Sequence, residues 1–145
     1  MKSVWQYECS LSNGVSLDKN IDTDVLIIGA GITGILTGYM LKSEGVNCTI
    51  IDAGRICEGN TGRTTAKITL QHELIYNKLI REYGENKARQ YAEANKKAID
   101  KYKEIIKKKN IQCEFKELPN YLYTVDNVEA LVQEYEAELK LGIEA

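Results

Sequence analysis

The spacing of apolar residues changes several times along the chain, and each change marks an element. Asp24-Val25-Leu26-Ile27-Ile28 is a short apolar run that stops at Gly29. Without polar alternation, it predicts a strand buried on both faces, as in a parallel sheet. From Ile32 to Leu41 the spacing becomes helical, with Ile35, Leu36, Tyr39 and Met40 on one side. Lys42 falls in the last turn and Gly45 is a ready C′ residue. Val46 to Ile51 is a second strand run, closed by Asp52. Strand, helix and strand over residues 24–52 predict a βαβ unit with a right-handed crossover.

Residues 54–70 lose this periodicity, and their first part, Gly54 to Lys67, is polar and glycine-containing, so a loop is predicted. Ile75, Leu79 and Tyr83 then share a stripe, predicting a helix over about 72–83 that ends near Gly84. A longer helix is predicted over 85–109, carried by Ala88, Tyr91, Ala92, Ala98, Ile99, Tyr102, Ile105 and Ile106. Lys107, Lys108 and Lys109 in its last turn complement the negative end of the helix dipole. Cys113–Lys116 and Tyr121–Val125 flank Pro119-Asn120 and predict a short β-hairpin over 113–125. Asp126 with Glu129 three residues on has a capping-box pattern, opening a final helix over 126–141 with Gly142 behind it. There is no internal repeat and no low-complexity tract.

Charge refines this outline. The chain has 145 residues, 19 basic and 21 acidic side chains, and a net charge of −2, so no overall positive field draws it to nucleic acid or anionic membranes. Locally the balance is uneven. Residues 78–116 hold 12 basic and 6 acidic side chains, and residues 117–145 hold 1 and 7. Acidic residues interrupt the basic block throughout, which favours a solvated helix face over a nucleic-acid surface. The two blocks are expected to attract each other as a basic and an acidic helix packed side by side.

Four cysteines, Cys9, Cys48, Cys57 and Cys113, are widely spaced, and His72 is the single histidine. Clustered metal or iron–sulfur ligands are therefore not expected, and reduced thiols in a cytoplasmic protein are. The N-terminal stretch through Gly14 has no apolar core and does not read as a signal peptide. Val25 to Leu41 is uncharged and contains Gly34-x-x-x-Gly38, a spacing also used by membrane helices. It falls short of a typical span of ~20 residues and carries several glycines, so a soluble nucleotide loop explains it better.

Gly29-Ala30-Gly31-Ile32-Thr33-Gly34 lies between the first strand and its helix. In a dinucleotide-binding turn the first glycine permits the sharp bend, the second admits a pyrophosphate to the backbone, and the third lets helix and strand pack closely. The amides and positive dipole end of the helix then face the anion. Asp52 ends the second strand 21 positions after Gly31, close to the ~20 expected for an acid on the adenosine ribose. Its charge would repel a 2′-phosphate, favouring FAD or NAD over NADP; the glycines do not separate those two. The competing reading is a glycine-rich turn without a ligand. His72 in a helix is expected to be structural, and Tyr76, Tyr83, Tyr91 and Tyr102 to be core or helix-contact residues.

The run Asp24 to Gly34, the loop Gly59-Asn60-Thr61-Gly62-Arg63-Thr64-Thr65-Ala66-Lys67, the segment Tyr91 to Asn95 and Tyr121-Leu122-Tyr123-Thr124 together carry a resemblance. The chain resembles FAD-dependent oxidoreductases of the D-amino-acid oxidase/glycine oxidase (DAO) type, and most of all bacterial members with a C-terminal Rieske domain. The resemblance implies an α/β fold: a Rossmann-like βαβ FAD-binding unit followed by long helices and the hairpin, incomplete relative to a full flavoenzyme. By position, Gly29, Gly31, Ile32, Thr33 and Gly34 would line the FAD pyrophosphate. Asp52 and Ala53 would hold the adenosine ribose. Thr61, Gly62, Arg63, Thr64, Thr65 and Ala66 would approach the pyrophosphate, ribityl or flavin end. The acid is more often Glu in such flavoproteins, and Arg55 stands three residues beyond Asp52 instead of next to it.

The implied whole enzyme oxidises an amine or amino-acid C–N bond by hydride transfer to flavin, with a small-molecule substrate. Residues 1–145 are then the N-terminal part of its FAD/NAD(P)-binding domain, a truncation inactive alone and open to self-association. No catalytic or metal-binding residue is assigned. Two other readings stay open: a non-catalytic NAD- or ADP-binding Rossmann module, and a helical interaction protein built on residues 72–141.

Overall fold

The computed structural model describes residues 14–144; Cys9 and the rest of the N-terminal stretch before Gly14 lie outside them, as does Ala145. The chain divides into two compact units, Met1–Lys67 and Ile68–Ala145.

In the first unit, β1 (Val25–Ile28) pairs in parallel with β2 (Cys48–Ile51), and α1 (Ile32–Ser43) connects them. Val25 lies beside Cys48 and Ile27 beside Ile50, so these four side chains share one face. That face meets α1: a Cβ on Gly38 would lie 2.7 Å from Ile50 Cδ1 and 3.4 Å from Ile27 Cδ1. The Gly34-x-x-x-Gly38 stripe therefore packs α1 onto a sheet. Gly45, at φ +79°, takes the left-handed conformation that closes the helix.

The strands are not buried on both faces, contrary to what their continuous apolar runs predict. Leu26 and Ile28 point to the opposite face and are 51% and 81% exposed. The strands are therefore covered on one side only among the described residues. Between Asp52 and Lys67 the predicted loop contains a 3₁₀ turn, Asn60–Arg63.

The second unit is helical: α2 (Ile75–Tyr83), α3 (Glu85–Lys109) and α4 (Val128–Leu141). Gly84, at φ +80°, is the single residue between α2 and α3, a conformation that costs a residue with a Cβ far more. Tyr76, Ala88, Ala92, Ala137 and Leu141 form the core, and Ile75, Leu79, Ile80, Tyr91 and Ile143 pack around it. The small Ala88 and Ala92 leave room for the Tyr76 ring, which meets Tyr91 edge-on at 6.2 Å. The buried Tyr76 hydroxyl donates to Leu70 O at 2.7 Å. Burial, with help from Tyr91, Glu138 and Glu134, pushes this phenol up to about 12.

Glu134 supplies the other polar element of this core. It is 1% exposed, and its carboxylate accepts the N–H groups of Tyr76 and Asn77 at 2.7 and 2.8 Å. The first turn of α2 is thus capped from α4, its own N-cap residue Leu74 having no side chain that can do so. Glu138, one turn later on α4, is also buried, and its Oε1 has no hydrogen-bond partner among the described residues. Burial and the neighbouring Glu134 raise its carboxyl above the usual range.

Several predicted details change. Helix α2 begins at Ile75, so His72 is exposed and precedes it instead of sitting within it. Tyr83 is 64% exposed and is not a core residue. The hairpin over 113–125 is not formed: the segment contains no strand, and Tyr121, Tyr123 and Val125 are exposed. Two short runs flanking Pro119-Asn120 supply the local pattern of a hairpin, but a ladder also needs cross-strand pairing. The cap of α4 is Asn127 instead of Asp126, accepting from Ala130 N at 3.2 Å. Thr124 Oγ1 accepts from Asn127 N at 3.0 Å and fixes the approach.

The oppositely charged helices meet differently from expectation. Acidic α4 packs mainly on α2. Where it meets basic α3, Lys140 of α4 pairs with Glu85 of α3 at 3.1 Å, reversing the expected signs. Arg89 pairs with Glu85 and donates to the carbonyls of Lys140 and Leu141 at the end of α4. No helix among the described residues is long and apolar enough to cross a membrane.

Candidate functional site

The Gly29–Gly34 turn joins β1 to α1 at the carboxyl end of the two parallel strands. Gly29 turns the chain at φ +106°, and its amide continues the ladder to Ile51 O at 2.7 Å. At Gly34 space is decisive. A Cβ there would lie 1.9 Å from Gly29 O and 3.3 Å from Ile27 Cγ2. Gly31 differs, since within 4 Å its added Cβ would meet only Thr61 Oγ1, at 3.3 Å. The three glycines thus have separate tasks: a bend, an open approach and a close packing contact.

The N-cap residue Gly31 has no side chain to cap α1. Amides of a first helical turn have no acceptor within the helix and carry the positive end of its dipole. Ile32 N donates to Thr61 Oγ1 at 3.0 Å. A hydroxyl that accepts one such bond keeps its own hydrogen to donate. No acidic side chain lies in the first turn of α1. Such a turn, open at Gly31 and lined by Ile32, Thr33 and Gly34, is chemically suited to a phosphate anion.

Asp52 stands directly beside this turn. Its Oδ2 accepts the N–H of Ala30 and its Oδ1 that of Gly54, both at 2.7 Å. Those two N–H groups hold its carboxyl below the usual carboxylate range. Ala53 follows, exposed, and Cys57 N donates to Ala30 O at 3.0 Å. The peptide groups of buried Ala30 are therefore gripped at both N–H and C=O from beyond β2. Sequence reasoning missed this grip because backbone bonds from Cys57 leave no residue-type signal.

The fold brings Gly29, Gly31, Ile32, Gly34, Asp52 and Thr61 into one neighbourhood. Thr61, Gly62 and Arg63 lie in the 3₁₀ turn. Arg63 is exposed, and Thr64 Oγ1 accepts from Ala66 N at 3.0 Å, so that hydroxyl bonds locally. Thr65 and Ala66 are exposed, with Ala66 at φ +54°. Among the described residues no group of three or more His, Cys, Asp or Glu side chains could hold a metal ion.

Comparison with known proteins agrees with the resemblance drawn from sequence. Residues 24–145 match the model of the DAO family, described as FAD dependent oxidoreductase. The chain belongs to this family. It is 43% identical over 145 residues to a Bacillus subtilis protein named "Putative Rieske 2Fe-2S iron-sulfur protein YhfW", covering 99% of this chain and 28% of that protein. It is 30% identical over 93 residues to a Haemophilus influenzae protein named "Probable oxidoreductase OrdL", covering 64% of this chain and 22% of the relative. To the gamma-glutamylputrescine oxidoreductase of Escherichia coli it is 25% identical over 112 residues, covering 77% and 26%. The chain thus spans about a quarter of the length of these relatives. No solved structure matches it significantly.

Proposed function

We propose that this chain is the N-terminal part of the FAD-binding domain of an oxidoreductase acting on amine or amino-acid C–N bonds. The observation that carries this reading is the open first turn of α1 at Gly31, with the Asp52 carboxylate bonded to the adjacent Ala30 amide. That pairing places anion-binding amides beside an acid at the ends of two parallel strands, as an adenine dinucleotide requires. Gly29, Gly31, Ile32, Thr33 and Gly34 line its pyrophosphate, and Asp52 with Ala53 faces the ribose. Thr61, Gly62, Arg63, Thr64, Thr65 and Ala66 lie toward the flavin side.

The residues fit the group. A Cβ at Gly31 would enter the cradle, and Asp52 uses two of the roughly four acceptor positions of a carboxylate, leaving others for ribose hydroxyls. Bound flavin supplies the electron acceptor for hydride transfer. The chain's own residues bind and orient it. A substrate with an oxidisable C–N bond fits the relative named for gamma-glutamylputrescine. A Rieske centre needs two imidazoles, and this chain has one histidine, so it does not hold such a cluster by itself.

The test is titration of the purified chain with FAD, NAD and ADP, followed by flavin absorbance and fluorescence. The proposal expects a protein-bound flavin spectrum that is lost on Gly31→Val with far-UV circular dichroism unchanged. Binding of NAD or ADP without FAD points instead to a non-catalytic nucleotide module. Failure to bind any of the three, with the βαβ unit intact, refutes dinucleotide binding.

A further inference from the structure

Asp52 reaches further than a ribose ligand needs to. Both of its oxygens are bonded within the protein, one to the Ala30 amide inside the glycine turn and one to the Gly54 amide. Ala30 is 5% exposed, and its carbonyl accepts from Cys57 N. Two residues on, the Ile32 amide donates to Thr61 Oγ1. Three bonds from residues 52–61 therefore grip three backbone groups within residues 30–32, while the Gly31 position between them stays open.

We infer that Asp52 is a positioning residue for the phosphates of the bound nucleotide, acting through the Ala30 amide as well as facing the ribose. This rests on the dinucleotide reading above and adds a second task for the same carboxylate. The turn contains two glycines around Ala30, so its backbone has unusual freedom unless held. Bonds at the N–H and C=O of Ala30 fix the adjoining peptide planes and hence the direction of the Gly31 amide. An anion site built from backbone amides works through such fixed orientation. Asp52 carries a negative charge close to the place where phosphate binds, which by itself opposes an anion. Its two short N–H bonds tie that charge to the Ala30 and Gly54 amides, and the α1 first turn has no capping side chain of its own.

The clamp predicts coupling that a ribose contact alone does not. Two probes separate the roles: inorganic pyrophosphate, which has no ribose, and ADP, which has both groups. In the unsubstituted chain, the amide proton signals of Ala30 and Gly54 shift together with one midpoint as pH is lowered through the Asp52 titration. Asp52→Asn removes that shared titration and weakens pyrophosphate about tenfold, and ADP by at least that factor because its ribose contact is lost as well. Its melting temperature and far-UV spectrum report whether the fold persists. Weakening of ADP with unchanged pyrophosphate affinity overturns the inference and leaves Asp52 a ribose ligand only. Should the unsubstituted chain bind neither probe, the dinucleotide reading fails by itself. The amide titration then still decides the clamp: a shared midpoint supports it, and independent behaviour of Ala30 and Gly54 overturns it.

Discussion

Replacing Glu134 tests the least expected feature of the helical unit. The wild-type carboxylate is buried and accepts two N–H groups from the first turn of α2, at 2.7 and 2.8 Å. Glu134→Ala leaves both donors without an acceptor. An unsatisfied buried donor costs about 1–3 kcal/mol, and Asn77 N is only partly buried, so the pair accounts for about 2–4 kcal/mol. Loss of a negative charge at a helix N-terminus adds about 0.3–1 kcal/mol. The expected destabilisation is about 3–5 kcal/mol, given the space left by the missing side chain. Glu134→Gln keeps the shape and one acceptor but turns an NH₂ toward an N–H, for about 2–3 kcal/mol. Urea unfolding followed by circular dichroism measures both, with exposed Glu136→Ala on the same helix as a control expected within about 0.5 kcal/mol. The reasoning is refuted if Glu134→Ala is as mild as that control.

Gly34→Ala is expected to disrupt the first unit as well as its ligand, because the new Cβ would lie 1.9 Å from Gly29 O; relief by backbone movement costs about 1–3 kcal/mol or more, visible as a lowered melting temperature. Gly31→Ala leaves melting nearly unchanged, since only the Thr61 hydroxyl is near, and weakens FAD in the same titration. The raised Glu138 carboxyl makes its contribution to stability fully present below the ordinary glutamate range and lost as pH rises through its folded value. Glu138→Gln therefore reduces the decline in helical-unit stability over that window, measured by urea unfolding at a series of pH values. Asp52 has the opposite sign: its folded pKa is lowered, so its contribution is present above the ordinary aspartate range and lost as pH falls through the folded value. Asp52→Asn removes that acid-side loss from the first unit.

Periodicity and glycine spacing placed β1, α1, β2 and the three later helices, because apolar faces and helix ends leave local marks. The ends were less legible. Asn127 caps α4 although Asp126 is the residue with Glu129 at the capping-box spacing; the Thr124 hydroxyl donates to Asp126 Oδ1 and accepts from Asn127 N, and the Asn127 side chain accepts from Ala130 N. The 113–125 segment shows the same limit, since runs around a turn signal name residues able to form strands without supplying their partners.

The sequence by itself determined the glycine turn, the acid after β2 and the family, since these depend on residue type at fixed separation. Tertiary structure alone decided that Glu134 caps a helix 58 positions away, that Gly38 faces Ile50, and that Asp52 grips Ala30. Each of these joins groups distant in the chain through a distance of a few ångströms. Residue identity tells what a carboxylate can accept or a glycine can admit. Folding supplies the particular N–H or side chain that meets it.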